Sequence, residues 1–527
     1  MSRRHPARGP ADRTAFDATL LVTGLSLSSD QVVPGDLYAA LPGRHTHGAR
    51  HVRAALAAGA VAVLTDPAGA ALIGSVSVPV VVADQPRAVL AEWAARLAGR
   101  PAERLTMIGV TGTNGKTTTV ALTAALLSGL GLPTATIGTL GVRWRGRPLA
   151  VGSTTITTPE APQLQAGLAR LLQDGCRAVA LEASSHALDL RRVDAIRFAA
   201  VGLTNLGSDH LDYHLDQERY WAAKARLFEP ERAGWAVING DDPAAAALAD
   251  GLKARGQPCW TVGRGAEADL RIAAVQALPG GGSRVRLQGV AGAQQFDLGL
   301  PGGHNVTDAA LAVGLVRAAG LDPAPALDRL AAVTVPGRLQ PVALPGEAPR
   351  VYVDFAHTPQ AVAAVLAGLS GTDDAAGAGD RASAGRGGDS AAGRLIVVLG
   401  AGGDRDAAKR QPMGRAAAAG ADVVIVTDDN PRWEDPAAIR RAVLDGAAQG
   451  RAEARPGSRS AQVEIIDGGE RRHAIRAALA YAGPRDVVAV LGKGHETTQE
   501  LAGRRAAFDD AAVIAQEWAR LGGAAAL

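Results

Sequence analysis

The chain has 527 residues, which is too long for a single hydrophobic core and predicts two to four domains. Hydrophobic residues make up 47% of it and charged residues 20%, an ordinary balance for a soluble globular protein, and no apolar run approaches the roughly 20 residues that a membrane-spanning helix needs. The formal net charge of +3 argues against a nucleic-acid-binding protein.

The chain begins with a short basic segment, residues 1–13, that contains no hydrophobic stretch. It predicts a disordered tail rather than a signal peptide. The two cysteines, Cys176 and Cys259, form no CxxC pair, so we interpret them as reduced structural thiols. Together these features predict a cytoplasmic protein.

Three α/β units are predicted in chain order, because strand-like apolar runs alternate with Ala- and Leu-rich helical stretches. The first unit, residues 14–101, ends at Arg100-Pro101, since the residue before a proline is disfavoured in a helix. Residues 102–336 form the second unit and residues 337–527 the third. Within the third, residues 371–393 are rich in Gly, Ala, Ser and Asp and have no hydrophobic period, which predicts a flexible insertion.

The elements within these units follow from apolar runs and periodicity. Strands are expected at 37–41, 61–64, 78–82, 105–110, 178–181, 351–354, 395–399, 423–427 and 487–491. Helices are expected at 88–97, from residue 116 onward, and at 306–319.

A glycine-rich turn separates the strand at 105–110 from the helix that begins at Lys116. Its residues are Gly112, Thr113, Asn114, Gly115, Lys116, Thr117 and Thr118. Glycines let backbone N–H groups approach phosphates, Lys116 can neutralise the β- and γ-phosphates, and the Thr117 hydroxyl can hold Mg²⁺. The strict phosphate-loop pattern would have a glycine where Val110 stands, and the alternative is a turn that only caps the helix. We predict a nucleotide-binding loop.

Several further segments, in order, resemble the Mur ligase family over nearly the whole chain. They are TGTNGKTTT (111–119), TTPE (157–160), LEASSHALDLRRV (181–193), TNLGSDHLDYH (204–214), YWAAKARLF (220–228), GGHNVTDA (302–309), VPGRLQ (335–340), VDFAHTP (353–359), GAGGDRD (400–406), TDDNPR (427–432) and LGKGHE (491–496). The resemblance implies an α/β protein of three domains: an N-terminal UDP-binding domain, a central phosphate-loop ATPase domain and a C-terminal Rossmann-like domain.

The resemblance also implies an ATP-dependent amide ligase of peptidoglycan precursor synthesis. Such an enzyme activates a carboxylate as an acyl phosphate, which an amine then attacks, so catalysis depends on charge neutralisation and alignment. Mg²⁺ ions suit this chemistry. The implied metal-binding residues are Thr117, Glu182, His210 and Lys224; the alternative for His210 is a structural histidine.

Lys224, in YWAAKARLF, has two interpretations. A lone lysine in a helix is most simply solvated, whereas the family motif implies a lysine carbamylated by CO₂, whose new carboxylate holds Mg²⁺. Carbamylation needs a neutral amine, so the pKa of Lys224 must be depressed. Lys116, Lys224 and His210 are the implied catalytic residues.

The remaining substrate contacts are also implied by the resemblance. Thr157, Thr158, Ser184 and Arg192 are expected to bind UDP-N-acetylmuramoyl-L-alanyl-D-glutamate, because hydroxyls and an arginine suit a pyrophosphate and a carboxylate. Ser29 is expected at the uridine end, unless it belongs to a plain turn. Asn305, Arg338 and His357 are expected at ATP, although Asn305 could instead cap the helix at 306–319.

The segment around Arg432 resembles the family's motif for adding meso-diaminopimelate. The distal end of meso-diaminopimelate carries a carboxylate and an ammonium, whereas that of lysine carries only the ammonium. A bidentate arginine therefore favours meso-diaminopimelate. The implied residues are Arg405, Asp429, Asn430, Pro431, Arg432, Gly492 and Glu496, with Glu496 accepting from the ammonium. The alternative for Arg432 is a turn residue that pairs with a surface acid.

Other interpretations remain open at this point. A lysine-adding, D-alanyl-D-alanine-adding or folylpolyglutamate-type ligase is a second interpretation, against which the DNPR segment and the Thr157-Thr158 pair argue. A phosphate-loop NTPase that acts as a motor or switch would not need the segments around Lys224 and Arg432. We expect a monomer whose third unit swings so that Arg405 and Arg432 approach Lys116.

Overall fold

A computed structural model describes residues 21–43, 46–151, 156–207, 209–278, 281–290, 292–370, 393–456, 458 and 460–522. The predicted tail at 1–13 lies outside these ranges, as does the predicted insertion at 371–393 except for Gly393. The chain forms an α/β protein with three main sheets and one separate hairpin.

The first domain has a small parallel sheet in the order β1-β2-β3-β4. Its strands are β1 (Gly24–Ser26), β2 (Asp36–Ala39), β3 (Ala62–Thr65) and β4 (Val80–Val82), and its helices are α1 (Val52–Ala57), α2 (Pro67–Ile73) and α3 (Pro86–Leu97). The structure shortens the expected strands at 37–41 and 78–82 and begins the third helix at Pro86, since proline is well suited to the first turn of a helix.

The central domain contains an eleven-stranded sheet in the order β15-β14-β13-β12-β11-β10-β5-β9-β6-β7-β8. The strands are β5 (Thr106–Thr111), β6 (Thr134–Gly138), β7 (Gly141–Trp144), β8 (Arg147–Leu149), β9 (Ala178–Glu182), β10 (Phe198–Leu203), β11 (Ala233–Asn239), β12 (Cys259–Gly263), β13 (Leu270–Ala277), β14 (Ser283–Gly289) and β15 (Gln294–Leu298). The helices are α4 (Lys116–Gly129), α5 (Ala161–Gln173), α6 (Ser185–Asp189), α7 (Leu211–His214), α8 (Gln217–Ala225), α9 (Pro243–Ala254) and α10 (Gly303–Ala318).

Small side chains let helix α10 lie close against this sheet. Gly202 in β10 faces Leu315 of the helix, and a Cβ at Gly202 would lie 3.0 Å from Leu315 Cδ1. Gly314 similarly faces Val237 of β11. The abundance of Ala and Gly in the sequence therefore serves close packing of helices on strands.

The third domain has a six-stranded sheet in the order β16-β17-β21-β18-β19-β20. The strands are β16 (Gln340–Val342), β17 (Arg350–Asp354), β18 (Leu395–Leu399), β19 (Val423–Thr427), β20 (Glu464–Gly469) and β21 (Val487–Leu491), followed by the hairpin strands β22 (Thr498–Leu501) and β23 (Arg504–Ala507). The helices are α11 (Pro359–Ser370), α12 (Arg410–Gly420), α13 (Pro436–Ala452), α14 (Arg471–Tyr481) and α15 (Asp510–Arg520).

Strands β18, β19 and β21 are buried along their whole length, because helices cover both faces of the sheet. Among the described residues, no helix combines the length and hydropathy needed to cross a membrane. Cys176 and Cys259 are both buried and unpaired, as predicted.

Candidate active site

A cavity of about 620 Å³ lies between the central and third domains, at the ends of the central parallel strands. Most of the predicted site residues line it: Thr113, Asn114, Gly115, Lys116, Thr117, Thr118, Thr157, His210, Asn305, Arg338, His357, Arg405, Asp429, Asn430, Arg432, Gly492 and Glu496. Eight predicted residues do not: Ser29, Gly112, Thr158, Glu182, Ser184, Arg192, Lys224 and Pro431.

The glycine-rich loop joins the end of β5 to the start of α4, as predicted. Gly112 has φ 144°, and a Cβ there would lie 1.9 Å from Thr204 Oγ1, so no larger residue fits. Gly115 precedes the helix with φ 85°. Lys116 Nζ turns back and donates to the carbonyl oxygens of Gly112 and Thr113, both at 2.9 Å, while burial lowers its pKa. These contacts fold the lysine over the loop.

Residues that follow β10 form hydrogen bonds with this loop, and these contacts were not predicted from the sequence. Asn205 Oδ1 accepts from Asn114 N at 2.9 Å, and Thr204 Oγ1 donates to Asn114 O. The Thr113 hydroxyl oxygen accepts from Gly207 N at 2.9 Å and from Tyr220 Oη at 3.2 Å. Both Thr204 and Asn205 belong to the TNLGSDHLDYH segment, which was the available signal.

Asp308 is a second residue that sequence reasoning missed. It lies beneath the loop, 5% exposed, and a Cβ on Gly115 would be 2.5 Å from its Oδ1. Burial raises the pKa of Asp308 to about 8, against the lowering effect of Thr119, Arg338 and Lys116. Its Oδ2 has no hydrogen-bond partner within the described parts of the chain. Burial therefore favours the neutral form of this carboxyl group beneath the phosphate loop.

Lys224 is buried, with 2% of its surface exposed, so the interpretation as a solvated helix residue is wrong. Its Nζ donates to Gly112 O at 2.7 Å and lies 4.4 Å from the centre of the Tyr220 ring. Burial and the charge of Lys116 hold the pKa of Lys224 well below its usual value, although Asp209 opposes them. The amine thus meets the electrostatic condition for carbamylation.

Asp209, also missed from the sequence, lies between two predicted histidines. Its Oδ2 is 3.5 Å from His210 Nε2 and 4.0 Å from His357 Nε2. Burial raises the pKa of Asp209, but His210, His357 and Lys409 together outweigh this and lower it. Burial lowers the pKa of both histidines to about 4, so each is neutral at pH 7 and has a ring nitrogen available as a ligand.

The predicted metal-binding residues are compatible with Mg²⁺. Glu182 is 1% exposed, and its two oxygens accept from Thr139 N and Oγ1, both at 2.9 Å, which leaves lone pairs on each. In the described ranges, no cluster of three or more His, Cys, Asp or Glu side chains is arranged to hold a metal.

Three of the residues predicted for the muramyl substrate, Thr158, Ser184 and Arg192, form one hydrogen-bonded group. Thr158 is fully buried, donates to Glu182 O at 2.7 Å and contacts Ser184 Oγ at 3.3 Å. Arg192 donates to Thr158 O at 3.0 Å and pairs with Glu160 at 2.6 Å. Thr158 and Ser184 are therefore committed to local contacts, and of this group only Thr157 lines the cavity.

The first domain joins this group through Arg87, which lies 3.5 Å from Glu160. The sequence analysis gave no role to either residue. Ser29 does not line the cavity; it lies in a short 3-10 helix, Ser29–Gln31, and donates to Asp30 Oδ1 at 3.2 Å. The structure therefore does not bring Ser29 to the other predicted residues.

At the nucleotide end, helix α10 begins at Gly303 rather than at 306, with Gly302 before it. Asn305 therefore lies inside the first turn, and the interpretation that it caps the helix is wrong; its Nδ2 donates to Pro301 O at 2.6 Å. Arg338 stacks on the Phe355 ring at 4.7 Å and donates to Thr117 Oγ1 at 3.2 Å. This contact joins the third domain to the phosphate loop.

The opposite end of the cavity is formed by third-domain loops after β18, β19 and β21. Arg432 has φ 54° and donates through Nη1 to Gly403 O. Neither Arg432 nor Arg405 forms an ion pair within 4 Å among the described residues, which contradicts the alternative that Arg432 pairs with a surface acid. Gly492 has φ 110°, and a Cβ there would lie 2.3 Å from Asp429 Oδ2.

Comparison with known proteins matches three family models in order. They are described as Mur ligase family, catalytic domain (residues 21–97), Mur ligase middle domain (110–316) and Mur ligase, glutamate ligase domain (337–494).

Among curated relatives, the Streptomyces coelicolor UDP-N-acetylmuramoyl-L-alanyl-D-glutamate–2,6-diaminopimelate ligase is 41% identical, over 95% of this chain and 93% of that protein. The ligase of the same name from Corynebacterium efficiens is 40% identical, over 94% and 90%. A Leifsonia xyli relative, 39% identical over 94% and 92%, is named UDP-N-acetylmuramyl-tripeptide synthetase.

Among solved structures, a UDP-N-acetylmuramoyl-L-alanyl-D-glutamate–2,6-diaminopimelate ligase matches with a TM-score of 0.64 and 31% identity, covering 95% of each chain. A Mycobacterium tuberculosis folylpolyglutamate synthase complexed with ADP and AMPPCP has a TM-score of 0.59 and 20% identity, covering 83% of this chain and 95% of that one. The second likeness concerns the fold alone.

Proposed function

Because the chain belongs to the Mur ligase family, we propose that it is the ATP-dependent ligase that adds meso-diaminopimelate to UDP-N-acetylmuramoyl-L-alanyl-D-glutamate. One observation carries the proposal beyond the family: the phosphate loop and the two unpaired guanidinium groups of Arg405 and Arg432 line a single cavity. A triphosphate at one end and a zwitterionic head at the other would bring acid and amine together.

The reaction proceeds in two steps. A D-glutamyl carboxylate oxygen attacks the γ-phosphorus of ATP, giving an acyl phosphate and ADP; the diaminopimelate amine then attacks the acyl carbon, and phosphate leaves. Lys116 and Arg338 neutralise the transferring phosphoryl group. The residues that would hold Mg²⁺ are Thr117, Glu182, His210 and Lys224 as its carbamate, and the ion would supply positive charge to the phosphate oxygens.

Lys224 forms its carbamate when the neutral Nζ attacks CO₂ and loses a proton, which converts a buried amine into a carboxylate. Its burial and lowered pKa support this role. The loss of its contact with Gly112 O would let the new carboxylate turn towards the metal.

The muramyl substrate is proposed to run from the first domain, with Ser29 at the uridine end, towards Thr157. Thr158, Ser184 and Arg192 support this route; the ion pairs of Glu160 with Arg192 and Arg87 link the first two domains along it. Asn305 and His357 line the nucleotide end. Asp429, Asn430, Pro431, Arg432, Arg405, Gly492 and Glu496 make up the diaminopimelate end.

We further propose domain boundaries of 14–101, 102–336 and 337–527, a monomer, and a place in the cytoplasm, where ATP is at hand. The product would be a peptidoglycan precursor needed for cell-wall growth, cell shape and division. These assignments rest on the family and on the chemistry of the site.

The decisive experiment supplies ATP, Mg²⁺ and UDP-N-acetylmuramoyl-L-alanyl-D-glutamate to the full chain, and compares meso-diaminopimelate with L-lysine by the mass of the product. We expect the diaminopimelate adduct, with ADP formed only when the muramyl substrate is present. Preference for lysine would replace the proposal with a lysine-adding ligase. ATP hydrolysis without any muramyl substrate would instead indicate a switch or motor NTPase.

A further inference from the structure

Lys493 is a buried cation at the floor of the diaminopimelate end. It follows β21 in the segment LGKGHE and is 0% exposed. Its ammonium group has three acceptors: Thr498 O at 2.6 Å, Glu496 Oε2 at 3.1 Å and Asn430 Oδ1 at 3.4 Å. All three of its N–H donors are therefore used inside the protein, and it cannot bind a ligand directly.

Glu496 receives two of the donors in this group. Its Oε2 accepts from Lys493 and from Asn430 Nδ2, the latter at 2.8 Å. Its other oxygen has no partner among the described residues, and the side chain, 35% exposed, lines the cavity. Asn430 also accepts from Glu500 N at 2.9 Å, so its amide is committed to orienting Glu496.

Some other charged side chains near Lys493 form ion pairs or favour their neutral form. Arg471 and Asp510 form a fully buried ion pair at 2.6 Å. Burial raises the pKa of Asp429, which favours its neutral form. Since Lys493 balances Glu496, the charged side chains that line this end and form no ion pair among the described residues are those of Arg405, Lys409 and Arg432, opposed only by Asp406. A head that carries only an ammonium meets an excess of positive charge here, whereas a head with its own carboxylate does not.

We propose that Lys493 determines which amino acid is accepted: by pairing with Glu496 Oε2 it offsets the charge of this carboxylate, so that the free oxygen holds an ammonium firmly only when the ligand also brings a carboxylate to the two arginines. The inference rests on the proposed function. Lys493 is a positioning residue that acts through Glu496, and it discriminates against lysine-like nucleophiles by an unfavourable interaction rather than by a contact with diaminopimelate.

The test compares Lys493→Gln with Lys493→Arg. Glutamine retains N–H donors for Thr498 O and Glu496 but removes the charge. We expect its KM for L-lysine to fall and the ratio of kcat/KM for meso-diaminopimelate over L-lysine to decrease about tenfold or more. The KM for ATP should change by less than about threefold, because the phosphate loop lies at the other end of the cavity. The KM for meso-diaminopimelate should change less than the KM for L-lysine, because the two charges of its head respond to Lys493 in opposite senses. Arginine retains the charge and should retain the ratio.

Lys253→Gln, at a half-exposed lysine paired with Asp269, is the matched control. Melting curves establish that each variant is folded. If folded Lys493→Gln has the same ratio of kcat/KM values as wild type, the inference is overturned. The inference is also overturned if folded Lys493→Arg loses the preference for diaminopimelate, and this second outcome can be measured even if Lys493→Gln does not fold. If wild type itself prefers lysine, the proposed function fails with the inference; if wild type prefers diaminopimelate and the ratio is the same in folded Lys493→Gln, only the inference fails.

Discussion

At the residue scale, the phosphate loop depends on ionisable groups that are buried beneath it. Lys224 and Lys116 share the carbonyl oxygen of Gly112 as an acceptor, and Asp308 lies against Gly115. Two ammonium groups this close would repel each other in a buried site, so the neutral amine of Lys224 is favoured before any ligand arrives. The same burial favours the protonated form of Asp308.

Replacing Lys224 with alanine should reduce activity by about a hundredfold or more, because the variant cannot form the carbamate that neutral Lys224 would supply. A short carboxylic acid such as acetate should restore part of the activity by filling the vacated space. Steady-state rates with and without acetate measure this, with Lys253→Ala as the control at a half-exposed position. Full activity of the Lys224 variant without acetate would contradict the carbamate role.

Asp308→Asn should make the stability of the protein less dependent on pH. Because burial raises the pKa of Asp308 to about 8, the folded protein keeps a proton that the unfolded chain releases near pH 4. Its contribution to the free energy of unfolding is fully present below pH 4 and is lost as the pH rises through 8. Asparagine has no such proton to lose.

The melting temperature of the asparagine variant should therefore rise relative to wild type, by about 2–4 °C or more, between pH 5 and pH 9. Melting curves of both proteins at pH 5, 7 and 9 provide the measurement. A difference that stays constant across this range would show that Asp308 is ionised in the folded protein.

The motifs contain most of the predicted residues that line the cavity, but eight predicted residues lie elsewhere, and the motifs do not show how buried charges are shared. Arg432 and Glu496 were predicted because their segments resemble a family pattern. Asp308 and Lys493 were not predicted, because the sequence around a single acid or lysine does not show whether its side chain is buried. Asn305 was thought able to cap α10 because the sequence did not reveal that the helix begins two residues earlier, at Gly303.

At the scale of elements, the hairpin β22–β23 supports the loop that presents Arg432. Arg432 N donates to Glu500 O at 3.1 Å, and Ala502 N donates to Arg432 O at 2.6 Å. Trp433 covers the turn at Gly503, where a Cβ would lie 2.5 Å from the indole ring. These contacts hold Arg432 at φ 54°, which a non-glycine residue adopts only when its surroundings enforce it.

Gly503→Val should raise the KM for diaminopimelate about tenfold and leave the KM for ATP unchanged, because it displaces Trp433 and the hairpin together with Arg432. Gly146→Val is the matched control: Gly146 has φ 75°, close to the 72° of Gly503, but a Cβ there meets nothing within 4 Å. Both variants bear similar backbone strain. If the two variants have equal KM values for diaminopimelate, the hairpin has no role in binding the amino acid.

Strands β18, β19 and β21 were predicted because they are continuous apolar runs. Strands β10 and β11 also lie inside a sheet but were not predicted, because glycine and alanine interrupt their apolar runs. The hairpin strands β22 and β23 were not predicted, since their residues are mostly exposed and polar. The antiparallel strands β14 and β15 were also missed, because their alternating burial leaves only about every second residue apolar.

At the scale of the whole molecule, two side-chain contacts connect the third domain to the central one across the cavity. Arg338 reaches Thr117 Oγ1, and His357 lies near Asp209. Both partners in the central domain belong to the proposed nucleotide and metal region. Ligands bound there would therefore change the angle between the two domains directly.

The third domain should swing away when the cavity is empty of ligands and close when they bind, because the phosphates and the distal carboxylate then add anionic partners for Arg338, Arg405 and Arg432. Small-angle scattering should show a radius of gyration that decreases by roughly 1 Å on adding a non-hydrolysable ATP analogue with the muramyl substrate. In Arg338→Ala the decrease should be smaller, since the link to the phosphate loop is missing. Arg317→Ala, on α10 away from the residues lining the cavity, should behave as wild type. An unchanged radius of gyration in wild type would mean that substrates enter a preformed cavity, and that the arginines select their ligand without moving the domains.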